Sequence, residues 1–127
     1  MIERSDIFKC EGCGVVVEAM NCSKASLSCC GQEMVKLKAK TADSATEKHV
    51  PILESTNGGS IVKVGSVPHP MDDKHSIQWV EIINGDYVNR KYLKPGEKAE
   101  GAFYATVQDG MVVRELCNLH GLWINEG

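Results

Sequence analysis

Positive charge is not in excess in this chain: 14 lysines and arginines stand against 17 acidic residues, a net of −3 over 127 residues. That excludes the basic footprint with which proteins hold nucleic-acid phosphates, so no nucleic-acid partner is expected. No run of about 18 apolar residues occurs, so no helix is expected to cross a membrane. The opening Met1-Ile2-Glu3-Arg4-Ser5-Asp6 is polar and acidic. It does not read as a signal peptide, and a cytoplasmic location is the expectation. Nor is there a long stretch with apolar residues at a period of about 3.6, which argues against a helical core. Histidine is scarce as well, with four in the whole chain.

What the chain does have is cysteine. Four of its six cysteines fall near the start, as Cys10-Glu11-Gly12-Cys13 and the adjacent pair Cys29-Cys30. In a reducing compartment, cysteines at such spacing are more often metal ligands than disulfides. Each pair is followed by a glycine, Gly14 or Gly31, and turns of that kind let backbone N–H groups point at the sulfurs. A tetrahedral Cys₄ site closed by two knuckles is the natural reading, and thiolate tetrahedra suit both iron and zinc. Without a metal, a segment of roughly 36 residues buries too little surface to fold alone. Two ligands one residue apart do not both fit a relaxed knuckle, so a distorted tetrahedron is expected. Cys22, in the Asn21-Cys22-Ser23 turn, reads as a free surface thiol.

Residues 35–45 are polar and read as a linker, with a helical turn expected near residues 42–47. Strand signals dominate from there. Candidate strands are 50–54, 60–67, 77–83, 87–93, 99–107, 111–116 and 122–125. They are separated by turn sequences such as Asn57-Gly58-Gly59, Asn84-Gly85-Asp86 and Asp109-Gly110. About seven short strands at regular spacing suggest an antiparallel β-sandwich of immunoglobulin-like type. The expected fold class is therefore all-β. A small Cys₄ metal domain would occupy residues 1–37 and the sandwich residues 38–127.

All four histidines sit beside turn-forming or charged residues, in Glu47-Lys48-His49-Val50-Pro51, Pro68-His69-Pro70, Asp73-Lys74-His75 and Cys117-Asn118-Leu119-His120. Any one of them alone would read as an ordinary loop histidine. Cys117, at the end of an apolar strand, has the lesser alternative of being a small buried hydrophobe. Together they offer four imidazoles and one thiolate, the side chains best suited to a redox-active first-row metal. Five donors leave one octahedral position open to a small ligand.

These residues resemble a known family. Cys10-x-x-Cys13 with Cys29-Cys30, the motifs around His49, His69 and His75, Ile77-Gln78-Trp79, Leu93-Lys94-Pro95-Gly96 and Cys117-Asn118-Leu119-His120-Gly121 are similar over nearly the whole chain to desulfoferrodoxin. That family is the two-iron class of superoxide reductase. The resemblance implies a desulforedoxin-like N-terminal domain in which Cys10, Cys13, Cys29 and Cys30 hold a rubredoxin-like iron. It implies a second iron with His49, His69, His75 and His120 as a square base and Cys117 axial, giving two irons per chain. It assigns Glu47 as a sixth ligand after oxidation and Lys48 as the group that attracts superoxide. A rubredoxin-type electron donor and a homodimer are further implications. Cys22 replaces part of a glycine-rich turn. Leu122-Trp123-Ile124-Asn125 departs from the usual ending, at a place expected to lie away from the ligands.

The implied reaction gives superoxide one electron and two protons and yields hydrogen peroxide, without producing oxygen. Neutral imidazoles, one thiolate and a ferrous ion leave a single net positive charge, which favours an anion. A thiolate opposite the open position pushes electron density toward it, as in haem–thiolate enzymes. Two other classes remain at this level: an electron carrier using only the Cys₄ iron, and a structural zinc-ribbon interaction module. A dismutase is the enzymatic rival, separated by oxygen production and independence from a reductant.

Overall fold

The computed structural model describes residues 1–41, 49–65 and 69–126. Glu47, Lys48 and the helical turn expected near residues 42–47 lie outside the described residues, as do Val67 and Pro68. The chain divides into two compact units, Met1–Lys38 and Ala39–Gly127. Among the described residues all regular structure is strand.

The first unit contains β1 (Ile7–Lys9), β2 (Val16–Glu18), β3 (Ser28–Cys29), β4 (Gln32–Glu33) and β5 (Val35–Lys36). β1 lies between β2 and β5 in a small antiparallel sheet, and β3 and β4 form a separate hairpin. Ile2, Ile7, Phe8 and Cys10 are its buried apolar residues. β5 corrects the linker expectation. Val35 and Lys36 pair with Lys9 and Phe8, and Lys36 Nζ lies 3.0 Å from the Asp6 carboxylate. A two-residue strand is too short to register as alternation, so its polar composition reads as linker.

The second unit is a sandwich of two antiparallel sheets. Its strands are β6 (Pro51–Thr56), β7 (Gly59–Val64), β8 (Ile77–Asn84), β9 (Tyr87–Tyr92), β10 (Glu100–Phe103), β11 (Val112–Cys117) and β12 (Gly121–Asn125). The sheet orders are β10-β7-β6 and β12-β11-β8-β9. All seven expected strands are present. Lettered along the chain from A to G, the sheets read A-B-E and C′-C-F-G, an immunoglobulin-type arrangement in which the fourth strand joins the C-F-G sheet. Val62 and Val64 from one sheet and Ile77, Val80, Ile82, Val113 and Cys117 from the other share one buried cluster. The expected strand 99–107 stops at Phe103. Its partner β7 begins at Gly59, and the last pair is Phe103 with Ser60. A side chain at Gly59 would run into the Phe103 carbonyl.

A buried ion set ties the centre of the four-stranded sheet. Glu81 is fully buried. Its carboxylate accepts from Arg90 Nε at 2.8 Å and from Arg114 Nε at 2.6 Å. Removing one member of such a set typically costs about 3–5 kcal/mol, because the others stay buried and uncompensated. β8 starts two residues after His75 and β11 ends at Cys117, so this set holds the strand that follows one candidate ligand in register with the strand that carries another.

Candidate metal centres

The N-terminal cluster is built from two tight turns. Cys10 directly follows β1, and the chain reverses through Glu11-Gly12-Cys13-Gly14. The Gly14 N–H donates to the Cys10 carbonyl at 2.8 Å. A Cβ on Gly12 would stand 3.0 Å from Cys30 Cβ, so a larger residue there would push the two knuckles apart by a few tenths of an ångström. Cys29 is the last residue of β3, and Cys30-Gly31 is the two-residue loop to β4, with φ of 53° and 74°. Two positive φ values mark the primed hairpin turn, which explains how neighbouring cysteines serve one site: one stands on the strand, the other on the turn. The adjacency is thus accommodated in the backbone, with Cys30 in the left-handed region.

The sulfurs form a compact set. Cys13 Sγ lies 3.7 Å from Cys29 Sγ, and Cys29 Sγ 3.8 Å from Cys30 Sγ. A tetrahedron with metal–sulfur bonds of about 2.3 Å has edges of about 3.8 Å. The thiol ionisations carry the same message. Cys10 is lowered to about 7, chiefly because the Cys13 backbone hydrogen-bonds its sulfur, against the opposing effect of burial. Cys29 is pushed up to about 12 by its hydrogen bonds to Cys10 and Cys13. Four thiols this close do not all ionise unless a cation sits among them, which is the condition a metal satisfies. Cys22 is exposed and stands outside the group.

The second cluster gathers residues from four places in the sandwich. His49 precedes β6, His69 and His75 lie between β7 and β8, Cys117 ends β11, and His120 lies in the turn to β12. Their donor atoms all lie within 4.8 Å of one another. Ring centroids run 4.6 Å from His49 to His69, 4.8 Å from His69 to His75, 5.0 Å from His75 to His120 and 4.7 Å from His120 back to His49. Each neighbouring pair meets edge-on, at 66–80°. Imidazoles turned this way aim their nitrogens at a common centre. The four histidines therefore form a square in chain order. Cys117 Sγ is 3.8 Å from His69 Nε2 and 3.8 Å from His120 Nδ1. Those two rings occupy opposite corners, so the sulfur lies on the axis of the square.

Local structure explains the aim of each ligand. A register shift between Leu116 and Cys117 against β8 reorients Cys117. His69 Nδ1 lies 2.8 Å from the Pro70 carbonyl. A carbonyl only accepts, so Nδ1 carries the proton and Nε2 keeps its lone pair for a metal. Asn118 clamps the His75 loop: its Oδ1 accepts from Ser76 N at 2.9 Å and its Nδ2 donates to the Lys74 carbonyl at 2.9 Å. Asp72 Oδ1 accepts from His75 N at 2.8 Å. Cys117, His49 and His69 are buried, His75 is half-buried and His120 is exposed. The less buried ligands, His75 and His120, are neighbours in the square, so one edge of it lies nearer the surface than the rest. Cys117 is both a core residue and a donor, so the two readings of it are compatible.

Trp123 requires a correction. The sequence places it away from the ligands, yet its indole stacks on His49 with centroids 4.7 Å apart and an interplanar angle of 11°. Trp123 pairs with Glu115 across the β11–β12 ladder, and that register, invisible in the linear sequence, turns the indole to the site. Asn118 is a further functional residue that the sequence reading misses, although its place between Cys117 and His120 is a usable signal.

The family model described as Desulfoferrodoxin matches residues 41–126, and that of the Desulfoferrodoxin N-terminal domain matches residues 2–37. The desulfoferrodoxin of Syntrophotalea carbinolica is 50% identical over 127 residues, covering 100% of both chains. The superoxide reductase of Pyrococcus abyssi is 32% identical over 111 residues, covering 73% of this chain and 96% of that one. Among solved structures, the superoxide reductase from Treponema pallidum superposes with a TM-score of 0.75 at 28% identity, covering 94% of this chain and 96% of that one.

Proposed function

Because the chain belongs to the desulfoferrodoxin family, we propose that it is a superoxide reductase with two irons, one in the Cys₄ set and one in the His₄Cys set. The observation that carries this reading is the square of His49, His69, His75 and His120 with Cys117 on its axis. An electron carrier or a structural zinc ribbon has no use for a second donor set of this composition. When bound there, iron supplies the single electron that turns superoxide, with two protons, into hydrogen peroxide.

The residues divide the work. The imidazoles bind a first-row metal without adding charge, and the Cys117 thiolate lends electron density from the buried side. The face opposite the sulfur carries none of the five donors and is the one left for a small anion, with His75 and His120 as the less buried ligands beside it. Solvent at that face is the proton source, since all four histidines are engaged as ligands. Glu47 and Lys48, which lie outside the described residues, immediately precede the ligand His49. Glu47 is the carboxylate that binds the metal after oxidation, and Lys48 the cation that draws superoxide in. Re-reduction falls to a rubredoxin-type donor, the protein works as a homodimer, and its place is the cytoplasm. Reduced thiols serving as ligands suit that compartment, and among the described residues no helix is long and apolar enough to cross a membrane.

Peroxide yield tests the reaction. With reductant present, each superoxide consumed should give one hydrogen peroxide and no oxygen. Oxygen release with one peroxide per two superoxides would make the protein a dismutase. Lys48 is tested by rate. The net charge of −3 repels anions on average, and charges beyond about 10 Å are screened at ~0.1 M salt. Attraction is therefore local, and Lys48→Ala is expected to slow the second-order reaction by roughly 10-fold and to flatten its salt dependence, with both irons retained. Pulse radiolysis at several ionic strengths reads both. Unchanged rate and slope would return Lys48 to an ordinary loop lysine.

A further inference from the structure

We infer that Lys40 is a positioning residue of the His₄Cys centre, acting through Trp123 and His120 to hold the bound metal toward its reduced state. This rests on the reading that the His₄Cys set binds iron. Lys40 is stitched to β12 on either side of Trp123. Its N–H donates to the Leu122 carbonyl, and its carbonyl accepts from the Ile124 N–H, both at 2.9 Å. Its ammonium then turns toward the site. Lys40 Nζ donates to the His120 carbonyl at 2.9 Å and lies 5.2 Å from the centroid of the Trp123 ring. Trp123 in turn stacks on His49. His49 and His120 are neighbours in the square, with Nε2 and Nδ1 3.0 Å apart. One side chain therefore touches both the backbone of one ligand and the indole that orients the next.

Two effects follow. Outer contacts of this kind fix ligand rings and tune the metal they hold. The charge acts as well. The stacked arrangement puts the ammonium within about 10 Å of the His49 ring, no farther than the screening length at ~0.1 M salt. Loss of an electron raises the positive charge of the centre, and a fixed cation nearby opposes that rise. Lys40 thereby favours the ferrous form, the one able to give an electron to superoxide. Among the described residues within this network it is the one that joins a full positive charge to two ligands.

The test is a redox titration of the full-length holoprotein, followed by the visible absorption of the ferric–thiolate centre. Lys40→Met keeps most of the stem and removes the charge. At a fixed ambient potential it is expected to raise the ratio of oxidised to reduced centre by about 3- to 10-fold. Lys40→Arg, which keeps the charge and the contact with Trp123, should stay near the parent. The parent itself should shift in the same direction between low salt and ~1 M salt, where the screening length falls to about 3 Å, and that measurement needs no variant to fold. A Lys40→Met ratio equal to the parent's, or an equal shift in Lys40→Arg, overturns the inference while leaving the proposed function intact. Metal analysis of the parent that finds no iron beyond the Cys₄ site overturns both.

Discussion

Cys117→Ser is expected to abolish superoxide reduction while the N-terminal iron keeps its colour. Cys117 Sγ is buried and lies on the axis of the histidine square, 3.8 Å from ring nitrogens at two opposite corners. A serine hydroxyl is a shorter and harder donor and stays protonated near neutral pH. The buried side would then offer the metal neither negative charge nor the electron density of a soft sulfur. The loss should exceed the roughly 10–100-fold that removing an outer hydrogen-bond partner costs, because the axial donor itself is gone. Stopped-flow mixing with superoxide gives the rate, and metal analysis with a visible spectrum gives the iron content. Cys10, Cys13, Cys29 and Cys30 belong to the separate unit Met1–Lys38, so their absorption serves as an internal control. Turnover close to the parent would show that the axial thiolate is dispensable.

How much of this site is legible without the structure depends on the range of the interaction. His120 and Cys117 share one short turn, and the three upstream histidines sit at loop signals, so the donor list can be read from the sequence. The square order and the axial sulfur cannot, because they arise from pairings across β8, β11 and β12 and from the shift at Leu116–Cys117. Trp123 shows the limit most clearly. It follows His120 closely in sequence, yet the ligand it stacks on is the distant His49, reached through the β11–β12 register. Lys40 escapes notice for the same reason, being one more lysine in a polar stretch until its bridge to Trp123 is seen. The seven sandwich strands are legible because turn residues punctuate short runs rich in β-branched and aromatic residues. The two-residue strands of the first unit carry no such pattern. The pairing of Cys29 with Cys30 is legible as a strain but not as its solution, the primed turn at Cys30-Gly31.

The second large effect concerns the other metal. Cys13→Ser is expected to lose the N-terminal iron and the order of that unit, yet to keep the reaction with superoxide. Cys13 Sγ lies 3.7 Å from Cys29 Sγ, and the Cys13 backbone is the main influence lowering Cys10 to about 7. Serine at this position removes one of four soft donors and leaves the remaining three with an incomplete tetrahedron. The unit has little else to hold it. Its strands are two or three residues long, and its buried apolar residues are few. In small domains of this kind the metal's binding free energy is largely the folding free energy. The sandwich, by contrast, has its own core cluster and its own donor set, all from His49 onward. Metal analysis should therefore fall from two irons per chain to one. Amide exchange should become fast in Met1–Lys38 and stay slow in β7, β8 and β11. The ferrous centre of the variant should still consume superoxide at close to the parent's second-order rate, whatever happens to its re-reduction by a donor protein. Complete loss of that reaction in a variant whose sandwich remains folded would end the division of labour between the two sites and make the Cys₄ iron part of the catalytic step.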